Sequence, residues 1–218
     1  MNDHDIHPIM AALHEAVLAW QTPIVDEMAQ REATPYTILI TTILSLRTQD
    51  ATTAQASRRL FELAATPQTM LALPAETIAR AIYPVGFYRT KAETILTVSR
   101  LLLERYDGGV PDTVEELLTL PGVGRKTANL VVTMGYHKPG ICVDTHVHRI
   151  TNRWGYVQTK TPDQTEFALR AKLPAEYWIA INGYLVSLGQ NICHPTSPRC
   201  SQCPITAWCA RIGVTRNR

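Results

Sequence analysis

Four of the five cysteines, Cys193, Cys200, Cys203 and Cys209, follow one another as C-x6-C-x2-C-x5-C. Thiolates packed this closely repel one another, and a metal centre is the simplest species that holds them deprotonated together. Spacing alone leaves a four-thiolate zinc site and an iron–sulfur cluster both open. The remaining cysteine, Cys142, lies in the apolar run Ile141-Cys142-Val143 and reads as a small core residue.

A second concentration of chemistry lies upstream, in Leu120-Pro121-Gly122-Val123-Gly124-Arg125-Lys126. Gly122 and Gly124 open backbone angles closed to other residues and remove side chains from a turn. The N–H groups of a helix that follows such a turn can approach a phosphate closely, which holds nucleic acid without reading its sequence. Lys126 falls in the first turn of that helix. The positive end of a helix dipole disfavours an added cation there and favours the neutral, nucleophilic amine. Pairing with a phosphate is the plainer role for the same side chain. Asp144 follows an apolar run and sits where a helix N-cap is expected. Such a carboxylate can also stabilise the oxocarbenium-like charge that develops when a sugar C1′ loses its base.

The elements that must carry these residues read as helices. Thr34-Pro35 opens a buried helix to Leu46, and Asp50 is placed to cap another running to about Ala65. Short helices follow at Thr66-Pro67 and from Pro74 to about Tyr83. A long amphipathic helix spans Thr90 to Tyr106 and stops at Asp107-Gly108-Gly109. Asp112-Thr113 opens a helix to Leu120, and the glycine turn leads into one from Arg125 to Met134. Asp144 caps a helix to Trp154, Thr161-Pro162 opens one to Leu173, and Pro174 opens the last, to Leu188, with Gly189 as its stop. No run of strands is expected; the fold class is all-α.

The composition, 45% hydrophobic and 18% charged, is that of a globular protein, and the net charge of +2 does not by itself point to nucleic acid. Its distribution is more informative. Residues 1–35 carry Asp3, Asp5, Glu15, Asp26, Glu27 and Glu32 against the single base Arg31, whereas 191–218 carry four arginines and no acid. A basic end around the cysteines suits a polyanion. The start of the chain lacks a secretory or mitochondrial pattern, and no apolar stretch is long enough to span a bilayer. The expectation is a cytoplasmic, nucleoid-associated monomer with no membrane contact.

Taken together, L-P-G-V-G-R-K-T-A, V-D-T-H-V-H-R and the cysteine loop occur in an order and spacing that resembles the endonuclease III family. These are bifunctional DNA glycosylase/AP lyases of the helix–hairpin–helix superfamily, and the likeness runs from about Thr34 to Cys209. The resemblance implies a two-domain protein. A six-helix barrel domain with the hairpin would occupy 28–138, and a discontinuous iron–sulfur domain 1–27 with 139–218, with duplex DNA in the cleft between them. It implies Lys126 as nucleophile, Asp144 as the activating carboxylate, and a 4Fe–4S cluster on Cys193, Cys200, Cys203 and Cys209. The implied substrate is double-stranded DNA with damaged pyrimidines or abasic sites. Gly122, Gly124, Arg149 and Arg199 become candidate DNA contacts; where the family often has a lysine in the cysteine loop, this chain has Ser197. A base must leave the stack before it is cut, and something must fill the gap. The resemblance gives that task to Arg47, where glutamine is common, and to Phe87 as an apolar wedge.

Overall fold

Threonine followed by proline opens three of the helices in the computed structural model, which describes residues 5–20 and 33–218. The side chains of Thr34, Thr66 and Thr161 accept hydrogen bonds from the N–H of Thr37, Thr69 and Gln164, and each proline follows at the first helical position. The cap satisfies a donor that no carbonyl can reach, and proline lacks the donor altogether. The helices are α1 (Ile6–Leu18), α2 (Pro35–Ser45), α3 (Asp50–Leu63), α4 (Pro67–Leu71), α5 (Ala75–Ile82), α6 (Tyr88–Tyr106), α7 (Val114–Leu117), α8 (Arg125–Leu130), α9 (Thr145–Trp154), α10 (Pro162–Lys172) and α11 (Ala180–Asn191). No strand occurs among the described residues, and none of their helices is long and apolar enough to cross a membrane. The acids Asp3, Asp26, Glu27 and Glu32, the base Arg31 and the expected boundary at 27/28 lie outside the described residues.

The described residues divide into two compact units, 33–138 and 5–20 with 139–218. In the first, α2 is buried along nearly its whole length, from Tyr36 to Leu44 with the exception of Thr37. A helix apolar on all sides belongs at the centre of a bundle, and α3, α6 and α8 pack on it. Tyr36 anchors α2 to α6 through a buried bond of 2.6 Å between its hydroxyl and that of Ser99. In the second unit α11 is central, with α1 and α9 against it and α10 against α9. Its core includes Ile6, Ile9, Leu13, Ile150, Trp154 and Leu185. Cys142 is buried there, as its apolar neighbours require.

The elements depart from the sequence expectations in several places. Helix α1 was not foreseen. Asp50 begins α3 instead of capping it, because the carbonyl of Gln49 already accepts from Thr53 N. The helix after Asp112-Thr113 is a single turn, α7, and the chain reaches Leu120 through successive tight turns. Beyond Leu130 the α-helix widens into a π-helical turn, Val131–Gly135. There the Thr133 hydroxyl donates to the carbonyls of Asn129 and Leu130, competing with the backbone ladder. After Pro174 a 3-10 turn, Ala175–Tyr177, precedes α11.

Gly189 does not stop α11, which continues to Asn191. It is glycine because a Cβ there would lie 2.0 Å from His146 Nδ1. An exposed helical glycine is improved by alanine, but this one leaves the space that His146 of α9 fills. Gly189→Ala is therefore expected to cost about 1–3 kcal/mol, read as a lower urea midpoint with unchanged slope; a gain in stability would show that the ring moves aside without penalty.

Candidate functional site

The glycine turn is built on α7. Leu117 and Leu120 are buried in the core, Leu120 N bonds to Leu117 O at 3.1 Å, and Val123 N to Leu120 O at 3.2 Å. The two glycines do different work. Gly122 has φ +76°, and a Cβ there would come 2.9 Å from Thr94 Cγ2. Gly124 is extended, at φ −100° and ψ 178°, a conformation any residue adopts. A Cβ on Gly124 would meet nothing within 4 Å. What its missing side chain leaves is open approach to the N-terminus of α8. Lys126 lies in that first turn and is half-buried, beside the buried Thr127 and Ala128.

Asp144 caps α9. Its Oδ1 accepts from His146 N at 2.8 Å and from Val147 N at 2.9 Å. Both bonds end on one oxygen, so capping engages half of the carboxylate. Lys126 belongs to the first unit and Asp144 to the second.

The four cysteines of the C-terminal loop line one cavity together with Trp154 and Leu188. Burial pushes the Cys203 thiol up to about 11 and raises Cys209 as well, with the neighbouring cysteines adding to both. Among the described residues no group of three or more Cys, His, Asp or Glu is arranged to hold a metal ion. The loop has little regular structure beyond a 3-10 turn, Cys200–Gln202. It hangs instead from arginines of α9. Arg149 Nη2 donates to Cys193 O at 2.8 Å; Arg153 Nη1 donates to His194 O at 2.7 Å and to Cys193 Sγ at 3.4 Å. Burial lowers the affinity of the Arg149 guanidinium for its proton. This arginine, a candidate DNA contact by sequence, is half-buried and engaged with the loop. Arg199 is exposed on the loop.

Arg47 and Phe87 are brought together. The Arg47 guanidinium carbon stands 5.8 Å from the centre of the Phe87 ring, and 64% of Phe87 is exposed. Both residues have left-handed backbone, φ 55° and 59°. For residues other than glycine that conformation costs about 1–2 kcal/mol each. Sequence reasoning passed over the residue beneath them. Lys91, only 8% exposed, sends Nζ to Leu44 O at 2.8 Å, Leu46 O at 2.6 Å and Thr48 Oγ1 at 3.3 Å. Burial lowers its pKa to about 8. The signal was present: Lys91, Ile95, Val98 and Leu102 share the buried stripe of α6, and a lysine on such a stripe needs a reason.

The two glycines supply a test of the turn. Gly122→Ala should lose about 1–2 kcal/mol of stability, whereas Gly124→Ala should leave the unfolding midpoint unchanged; equal losses would mean that Gly124 too is held by packing.

The model for "HhH-GPD superfamily base excision DNA repair protein" matches residues 40–175. Endonuclease III of Thermotoga maritima is 50% identical over 179 residues, which is 82% of this chain and 84% of that protein. Endonuclease III of Escherichia coli is 37% identical over 177 residues, 81% of this chain and 84% of that protein. A solved non-covalent endonuclease III–DNA complex superposes with a TM-score of 0.86 at 32% identity, covering 97% of this chain and 96% of that one. A trapped endonuclease III–DNA covalent intermediate gives 0.79 at 32% identity, covering 97% of each chain.

Proposed function

The chain belongs to the endonuclease III family, within the HhH-GPD superfamily of base excision DNA repair proteins, and we propose that it removes oxidised pyrimidines from duplex DNA and then cuts 3′ to the abasic site. It is a DNA glycosylase with AP lyase activity. Lys126 is the nucleophile and Asp144 the carboxylate that acts with it. The lone pair of Nζ attacks C1′ of the damaged nucleotide; the C1′–N bond breaks, and its electron pair leaves with the base, which takes up a proton. Asp144 stabilises the positive charge that develops at C1′. The amine loses its proton, the sugar ring opens, and a Schiff base forms. Loss of a C2′ proton then expels the 3′ phosphate by β-elimination, and water hydrolyses the imine to restore Lys126.

The observation that carries this reading is the single-oxygen cap. Asp144 satisfies two helical N–H groups through Oδ1 alone, so Oδ2 is left for chemistry while the helix stays capped. Arg47 and Phe87 are the pair that enters the duplex, Phe87 stacking in the gap and Arg47 hydrogen-bonding the base left without a partner. Gly122 and Gly124 let the hairpin approach a phosphate, and Arg199 meets the backbone from the loop. Residues 28–138 form the barrel domain and 1–27 with 139–218 the cluster domain.

Cys193, Cys200, Cys203 and Cys209 suit a 4Fe–4S cluster. A cubane takes each thiolate on its own iron, so its ligands surround a volume; a four-thiolate zinc site draws all four sulfurs to about 2.3 Å from one point. The four thiols line a common cavity, and the kinship with endonuclease III is what supports the cluster over zinc. Bound there, it would be held by these four thiolates and would staple the loop.

Borohydride trapping on a duplex with one abasic site tests the chemistry. Wild type should form a covalent adduct that Lys126→Ala loses, and Asp144→Asn, which keeps a cap, should slow base release about a hundredfold. No adduct from folded wild type would remove the lyase. Iron and sulfide analysis should find about four of each per chain, and stoichiometric zinc in their place would overturn the cluster assignment.

A further inference from the structure

Arg47 and Phe87 sit on separate loops, one after α2 and one before α6, yet the backbones of these loops are locked together. Thr48 Oγ1 accepts from Gly86 N at 3.2 Å. A Cβ on Gly86 would lie 2.8 Å from Arg47 O, so the loops touch through main chain. Under this contact lies the Lys91 ammonium, on the carbonyls of Leu44 and Leu46 and the hydroxyl of Thr48. Those carbonyls lie at the C-terminal end of α2, where a helix lacks donors and its dipole is negative. A cation there satisfies them and is held by them. No carboxylate is among its described hydrogen-bond partners. The three bonds converge from both sides of Arg47, and Thr48 passes the connection on to Gly86, next to Phe87.

Two left-handed, non-glycine residues side by side persist only where their surroundings over-determine them, and such sites are where function concentrates. The left-handed backbone of Arg47 falls inside the bracket that Lys91 makes, and that of Phe87 follows Gly86 directly. We propose that Lys91 is a positioning residue that fixes the two loops as one rigid element, so that Arg47 and Phe87 enter the duplex together and the opposite base is judged by a preformed pair. The inference rests on the reading of Arg47 and Phe87 as the intruding residues. Lys91 touches no DNA in it.

The test compares wild type with Lys91→Met, which keeps the apolar stem and removes the ammonium, and with Thr48→Val, which leaves the ammonium on its two carbonyls and removes the hydroxyl that joins it to Gly86. The probe is 2-aminopurine placed opposite an abasic-site analogue in a duplex, where unstacking raises its fluorescence. Wild type should raise it and both variants should not. For excision from a lesion duplex, KM should rise at least about tenfold, in keeping with the effect of a small displacement on a positioned group. Discrimination among opposite bases should flatten. Strand cleavage of a single-stranded abasic oligonucleotide, which requires no entry into a duplex, should keep its rate. Variants that fold and unstack the probe like wild type would overturn the role of Lys91. Wild type that leaves the probe stacked would instead overturn the intruding pair itself. If Lys91→Met does not fold, Thr48→Val decides by the same readings.

Discussion

Two arginines on α9 hold the loop that carries the cysteines. Arg149 and Arg153 reach the carbonyls of Cys193 and His194, and Arg153 also donates to the carbonyl of Pro195. A loop with almost no ladder of its own has its backbone acceptors satisfied by charged donors, which are stronger than neutral ones. The same helix begins at Asp144. One helix thus carries the Asp144 cap at one end and the suspension of the cysteine loop along its length. Glycine at position 189 lets the central α11 approach this helix closely at His146.

The first unit solves a different problem. Lys126, the proposed nucleophile, follows a turn in which only Gly122 needs glycine for its backbone angle. Arg47 and Phe87, both exposed, take the left-handed conformation without glycine and are supported from below by a buried cation. In one place the chain gives up side chains and leaves a helix N-terminus open; in the other it keeps large side chains and accepts backbone cost to hold them.

Much of this was legible in sequence because it rests on local chemistry. The threonine–proline caps, the Asp144 cap and the cysteine spacing are each contained within a few residues, and each sets its element directly. What was missed depends on contacts distant in the chain. Gly189 looks like a helix stop until His146 is seen against it, forty-odd positions away in sequence. The sequence offers Arg149 as a candidate DNA contact and does not show that its guanidinium donates to the carbonyl of Cys193. The π-helical turn follows from a threonine hydroxyl competing with the ladder, a contest that periodicity does not register. Helix α1 is the instructive exception. Ile6, Ile9, Met10 and Leu13 recur at helical spacing, but the acids of the opening segment drew the reading toward charge and away from period.

The cap at Asp144 separates what folding selects from what reaction selects. Asparagine, serine or threonine would serve a helix N-terminus about as well. On the proposed reading the negative charge serves the reaction as well as the helix, and its orientation is fixed when the helix forms, so no rotamer freedom is surrendered when a substrate arrives. Drift at this position toward another capping residue would be invisible to any screen for folded protein. A chain that had lost its reactivity in this way would still look intact, and only its chemistry would reveal the change.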